Sequence, residues 1–215
     1  MPTFKESVNA KVTELEDRLL DIEIKFFSTH TNPLESPDAY ALDVQSYAVL
    51  CHAAFEDFAE SICVMMMDHI ENCMTSKLEY SKATLCFLHF DFGLPALCVD
   101  KWNQGDKLFN YITKQIRERK SKLSEYAMIR NHGVNIKYLQ SLFLPIGLEL
   151  PAGNARNSLN RLADIRGFYA HAFSPTRPNA VNIVAPQTTV DYVMDVLEYM
   201  KDVASKATTM KYYKW

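Results

Sequence analysis

Apolar residues recur at steps of three and four along most of this chain, the spacing that gathers side chains on one face of an α-helix. Phe4, Val8, Val12, Leu15, Leu19, Ile22 and Phe26 form one such stripe, with Glu14, Glu16, Asp17 and Arg18 on the other side. They predict an amphipathic helix over 4–27. The stretch Ser28 to Ser36, with Pro33 and then Pro37, reads as a connector. A long second helix is predicted from Pro37 to about residue 75. Ser36 or Asp38 is its cap and Pro37 suits its first turn. Its ridge is Tyr47, Cys51, Ala54, Phe58, Ile62, Met65, His69 and Cys73.

Residues 81–92 predict a short helix stopped by Gly93 and Pro95. Leu108, Tyr111, Ile112 and Ile116 carry a helix over 107–119, after which 120–134 is polar and reads as irregular. A short helix over 136–144 is closed by Pro145 and Gly147. Leu159, Leu162, Ile165, Phe168 and Tyr169 predict a helix from 154 to about 173, ended by Ser174-Pro175 and Arg177-Pro178. Val181 to Val184 is the one candidate strand. Thr188 or Thr189 caps a last helix reaching about residue 207, with Tyr192, Val193, Val196, Leu197 and Met200 as its ridge. The pattern predicts an all-α protein of about seven helices. It reads as a single domain over 1–215: an N-terminal helix and connector at 1–36, a bundle core at 37–207 and a tail at 208–215.

Composition narrows the function. Six glycines in 215 residues fall well below the average of about 7%. Neither GxGxxG nor GxxxxGK(S/T) occurs, so nucleotide binding through those loops is not expected. Five cysteines, an odd number with no CxxC pair, suggest buried free thiols rather than disulfides or a zinc ribbon. The longest apolar runs, such as Ile62 to Met67, fall far short of the roughly 18–20 residues a membrane span needs. Charges throughout 4–27 do not fit a signal peptide. The expectation is a cytoplasmic protein with no membrane partner, no metal and no cofactor.

Net charge of −3 conceals a split. Residues 1–100 hold six Lys and Arg against 17 Asp and Glu, whereas 101–215 hold 17 against nine. Such asymmetry suggests a face that attracts a polyanion, or two mutually complementary faces. The densest basic stretch is Lys114, Arg117, Arg119, Lys120 and Lys122. With Arg161 it forms a weak candidate RNA-binding set, and a solvated helix face is the alternative.

Arg166 and His171 carry the candidate chemistry. Five positions apart on a helix, they lie roughly 140° apart around its axis, and a long Arg can swing toward an imidazole near a helix end. A neutral His can take the proton of a ribose 2′-hydroxyl or protonate a leaving oxygen. A guanidinium stays charged and can hold the phosphate through the transition state. The pair therefore suits phosphodiester cleavage.

Arg166-Gly-Phe-Tyr-Ala-His171, late in an all-α chain, resembles the R-x4-6-H motif of the HEPN superfamily. Tyr47-Ala-Val-Leu-Cys-His-Ala-Ala-Phe-Glu56-Asp-Phe-Ala-Glu60 resembles the early helix of the RiboL-PSP and related HEPN groups. Asn135 to Gly147 resembles the linker helix those groups carry before the motif helix. The resemblance covers roughly 40–205 and implies a HEPN-like helical bundle with additional helices. It further implies a metal-independent endoribonuclease, often a toxin or abortive-infection effector in microbial defence, acting on RNA as a homodimer with motifs paired across a symmetric cleft. An antitoxin or defence-system protein is the further partner it implies. Arg166 and His171 then become the catalytic pair. Directly after the Arg, where the family usually has Asn, Asp or His, this chain has Gly167. A catalytically silent HEPN module binding RNA, nucleotide or a protein is the alternative function.

Four other features carry two readings each. Tyr169 is a candidate supporting residue inside the motif, or core packing. Glu56 is either a support that holds Arg166 or His171, or half of an i,i+4 pair with His52 that has no third metal ligand. Met65, Met66 and Met67 read as core or dimer seam. Lys211, Tyr212, Tyr213, Lys214 and Trp215 mix cations with aromatics, suited either to stacking on bases or to an ordinary terminus.

Overall fold

The structure is a computed structural model, and it describes residues 2–30, 32, 34–89, 107–130, 134–150, 155–170 and 184–214. Within the helices, the side chains of 107–109, 130 and 167–170 lie outside that description. The described residues form seven α-helices: α1 (Phe4–Phe27), α2 (Pro37–Asn72), α3 (Lys82–His89), α4 (Lys107–Glu125), α5 (Ile136–Phe143), α6 (Ala155–Ala170) and α7 (Pro186–Thr208). Two three-residue strands, β1 (Glu79–Ser81) and β2 (Tyr212–Lys214), pair antiparallel. The described residues are all-α apart from that ribbon.

Helix α2 is the axis of the molecule. Its 36 residues span about 54 Å at 1.5 Å per residue. It packs against α1, α4, α5, α6 and α7. One apolar ridge cannot serve so many neighbours. Tyr47, Cys51, Ala54, Phe58 and Ile62 are buried as the periodicity predicts, and Ala48, Phe55, Ala59, Cys63, Met66, Met67 and Ile70 are buried as well. Met65 and His69, placed on the predicted ridge, are only half-buried. Met66 and Met67 are core. Burial pushes the Cys51 and Cys63 thiols up to about 12, which leaves both protonated and unreactive. Cys73 is buried too and Cys86 half-buried, and all four are free thiols. Cys98 lies outside the described residues.

Local chemistry sets the helix ends. Thr3 and Glu6 form a reciprocal capping box at the start of α1. Ser36 is the N-cap of α2 by position, without a side-chain hydrogen bond, and Pro37 follows it. Asn135 caps α5 by accepting from the Tyr138 N–H at 2.9 Å. Helix α7 begins at Pro186, before Thr188 and Thr189. Ala185 is its N-cap, and the Thr189 hydroxyl donates back to the Ala185 carbonyl at 3.1 Å instead of capping. Gly147 closes the turn after α5 at φ +73°, where a Cβ would lie 2.9 Å from the Ala83 Cα.

Two expectations are corrected. Residues 120–125, read as irregular, continue α4, and Tyr126–Arg130 adds a π-helical turn. Leu123 and Ala127 extend the buried stripe of Ile116, and Lys120 anchors that turn by bridging Asp68 at 2.6 Å and Glu71 at 2.7 Å on α2. The ribbon was not predicted, because strands this short are defined by a partner more than 130 residues away. It docks part of the tail: Tyr213 lies opposite Tyr80 with ring centroids 5.9 Å apart. The candidate strand at 181–183, the end of the 154–173 helix beyond Ala170, and residues 90–92 lie outside the described residues.

His30 fastens the connector to α2. Its side chain is 8% exposed, with Nδ1 2.9 Å from Glu35 and Nε2 2.8 Å from Asp43. Both ring nitrogens donate when the imidazole is charged, so the hydrogen bonds it donates to Asp43 and then to Glu35 raise its pKa. A raised folded-state value means the added stability is complete below the unfolded value of about 6.5 and is lost as pH rises through the folded value. The melting-temperature advantage of wild type over His30→Gln is therefore expected to be larger at pH 6 than at pH 9. Thermal melts of both proteins across that range measure it, and an advantage independent of pH would refute it.

Candidate active site

Three polar residues, His52, Glu56 and Glu60, recur every four positions along the middle of α2 and are buried or half-buried, whereas Asp57 between them is exposed. The stripe they form faces the start of α5 and the motif helix α6. His52 is 3% exposed. Its Nε2 lies 3.0 Å from the Val134 N–H nitrogen and 3.2 Å from the Val134 carbonyl oxygen. The Tyr138 hydroxyl donates to Glu60 at 2.8 Å. Burial, reinforced by the Glu60 carboxylate, raises the Tyr138 pKa and keeps the phenol protonated.

Arg166 joins this stripe from α6. It is half-buried, and α6 packs directly on α2. Its positive charge reaches His52, as does the negative charge of Glu56. Burial lowers the His52 pKa most, Glu56 opposes that, and Arg166 and the Val134 carbonyl act in opposite senses. The ring is neutral at physiological pH. It accepts the Val134 N–H through an unprotonated Nε2. The charges of Glu56 and Arg166 thus both act on a third residue, His52. Gly167 continues α6 as helix, at a cost of about 1 kcal/mol relative to Ala. His171 lies outside the described residues, as does the side chain of Tyr169.

The basic set lies elsewhere. Arg117 Nε donates to Glu71 at 3.0 Å, and Lys120 is shared between Asp68 and Glu71. Lys114 faces Glu118 at 3.7 Å. Glu71 stands 15 positions beyond Glu56 on α2, about 22 Å along its axis. Part of the charge asymmetry is therefore internal: acidic α2 binds basic α4, and Glu16 of α1 pairs with Lys201 of α7 at 2.6 Å. Arg161 is exposed on α6, five positions before Arg166. Among the described residues, no group of three or more His, Cys, Asp or Glu converges to hold a metal. His52 and Glu56 bond or face protein groups instead.

The RiboL-PSP-HEPN family profile matches residues 13–208. The chain belongs to that family. The match takes in the α2 stripe, α5 and the whole of α6 with the Arg-x4-His sequence. Membership in this HEPN family supports an RNA-related function, with nuclease activity within its range, and RNA interaction or dimerisation as its modes of association. No curated protein and no solved structure matches the chain. No helix among the described residues is long and apolar enough to cross a membrane.

Sequence reasoning singled out Arg166 and Glu56 but not the part played by His52, Tyr138 or Glu60. A signal was present. Polar residues at 52, 56 and 60 interrupt a helix buried on most sides, and that burial is expensive unless each finds a partner.

Proposed function

We propose that this HEPN protein is a metal-independent endoribonuclease, a toxin or abortive-infection effector that cuts RNA with Arg166 and His171. The observation that supports this reading is the position of Arg166. It is half-buried on α6, the helix that packs on α2 and leads into His171, and its charge, like that of Glu56, acts on His52. In this reading the His171 imidazole takes the 2′-hydroxyl proton and the 2′-oxygen attacks phosphorus. The 5′-oxygen then leaves with a proton, and a 2′,3′-cyclic phosphate remains. Arg166 holds the phosphate oxygens and stabilises the added negative charge. Glu56 supports Arg166, and Tyr169 is the further polar side chain of the motif. The protein acts in the cytoplasm, under the control of an antitoxin or defence-system partner.

One Arg and one His supply a sparse set of groups. Two copies around one phosphate allow separate acid and base roles, so the functional unit is a C2 homodimer with both α6 helices near the axis. Lys114, Lys122 and Arg161 guide RNA toward it. Arg117 and Lys120, already bound to α2 carboxylates, contribute less. Light scattering at micromolar concentration is expected to find a dimer whose RNA affinity falls steeply with salt. Arg161→Ala should reduce that salt slope more than Arg117→Ala. A monomer that still cuts RNA would sink the composite site.

Gly167 favours a second reading, because it removes the polar group the family usually places after the Arg. In that reading the chain is a silent module that binds RNA, nucleotide or a protein. Incubating total RNA in EDTA with wild type and His171→Ala separates the two. Cleavage by wild type alone supports the nuclease, and intact RNA in both supports the silent module.

A further inference from the structure

Buried imidazoles are costly, and a Leu would fill the same space on α2 without desolvating a ring nitrogen. What His52 provides is a partner for Val134. That residue is fully buried just before the Asn135 cap of α5, so its N–H cannot turn to water and lies outside the helix it precedes. The His52 Nε2 lies within 3.2 Å of both Val134 backbone groups, 82 positions away in sequence. One helical turn further, Glu56 and Arg166 flank the same ring by charge, and the next turn holds Glu60 with Tyr138 of α5. The His52 ring therefore joins α2 to the entry of α5, and α6, the helix that carries Arg166, packs on both of those helices.

We propose that His52 is a positioning residue for Arg166: clamped to the backbone of Val134, it sets the spacing of α2 and α5, on which α6, the helix of Arg166, packs. The functional half of this proposal rests on the endoribonuclease reading, and its structural half does not. His52 does not touch the reacting atoms; it acts through Arg166. A small misplacement of a phosphate-holding group, caused by a change away from the reacting atoms, lowers turnover while leaving binding nearly intact.

Two variants of the full chain test it. His52→Leu keeps volume and removes the clamp. His52→Gln restores it, because the amide oxygen can accept from the Val134 N–H. In hydrogen exchange, His52→Leu is expected to speed the Val134 amide about tenfold and to loosen residues 162–166 of α6, while Val196 of α7 is unchanged. His52→Gln should return both to wild-type rates. In RNA cleavage, kcat of His52→Leu should fall about 10- to 100-fold with KM within about twofold, and His52→Gln should recover most of it. Unchanged exchange at 162–166, uniform loosening of the whole chain, no rescue by Gln, or an unchanged kcat would each overturn the proposal. If wild type cuts no RNA, the nuclease reading fails, and the exchange experiment still decides whether His52 positions Arg166.

Discussion

RNA incubated with wild-type protein in EDTA is expected to be cut, and His171→Ala and Arg166→Ala are each expected to leave it intact. Losing the group that moves the proton costs about 10²–10⁴-fold. Losing a charge aimed at the developing phosphorane costs about 10²–10³-fold. Either loss takes cleavage to the background of a gel assay. Products of wild type should carry 2′,3′-cyclic phosphates, and an all-2′-deoxy substrate should resist cleavage because its nucleophile is missing. Folding should hardly change. Arg166 is half-buried on α6, where truncation typically costs no more than about 1 kcal/mol. A melting temperature that collapses together with activity would assign Arg166 to the scaffold. Equal cleavage of the deoxy substrate would refute the proposed route.

Phe55→Ala is expected to cost about 3–5 kcal/mol of stability, through lost burial and the cavity left behind. Phe55 is 1% exposed in the middle of α2, the helix against which α1, α4, α5, α6 and α7 pack. That is a large part of the roughly 5–15 kcal/mol by which domains are usually stable. Leu42→Ala on the same helix is the control. Leu42 is 71% exposed, and its truncation should stay within about 0.5 kcal/mol. Urea unfolding of both variants at constant m-value measures the contrast. Similar midpoints would mean that α2 is not the central helix.

Much of the helical framework was legible because helix periodicity is local. The stripe from Phe4 to Phe26 needed no partner to be recognised, and α1 spans the predicted 4–27. The Pro37 start, the short α5 and the ridge of α7 follow from the same local rules, and so does the Arg-x4-His sequence that pointed to HEPN. Where α4 was cut short, the cause was charge. Lys120 and Lys122 look like the end of a helix when seen alone, whereas Lys120 is held by Asp68 and Glu71 from another helix.

The site divides along the same line. Arg166, His171 and Glu56 could be put forward as candidates from the chain alone, because side-chain chemistry and the resemblance to the HEPN motif are read from local sequence. Their surroundings could not. That His52 reaches across 82 residues to the Val134 backbone, that Tyr138 meets Glu60, and that Arg117 and Lys120 serve α2 are facts of packing. Each depends on which helix faces which. Helix contacts are decided by the burial of whole apolar faces, summed over residues far apart in the chain, so no local pattern encodes the partner of a single polar group. Sequence by itself determined most of the helices and the side chains they carry, because helix periodicity is local; tertiary structure decided which basic groups are paired and which polar groups meet, because that depends on which helix faces are buried together.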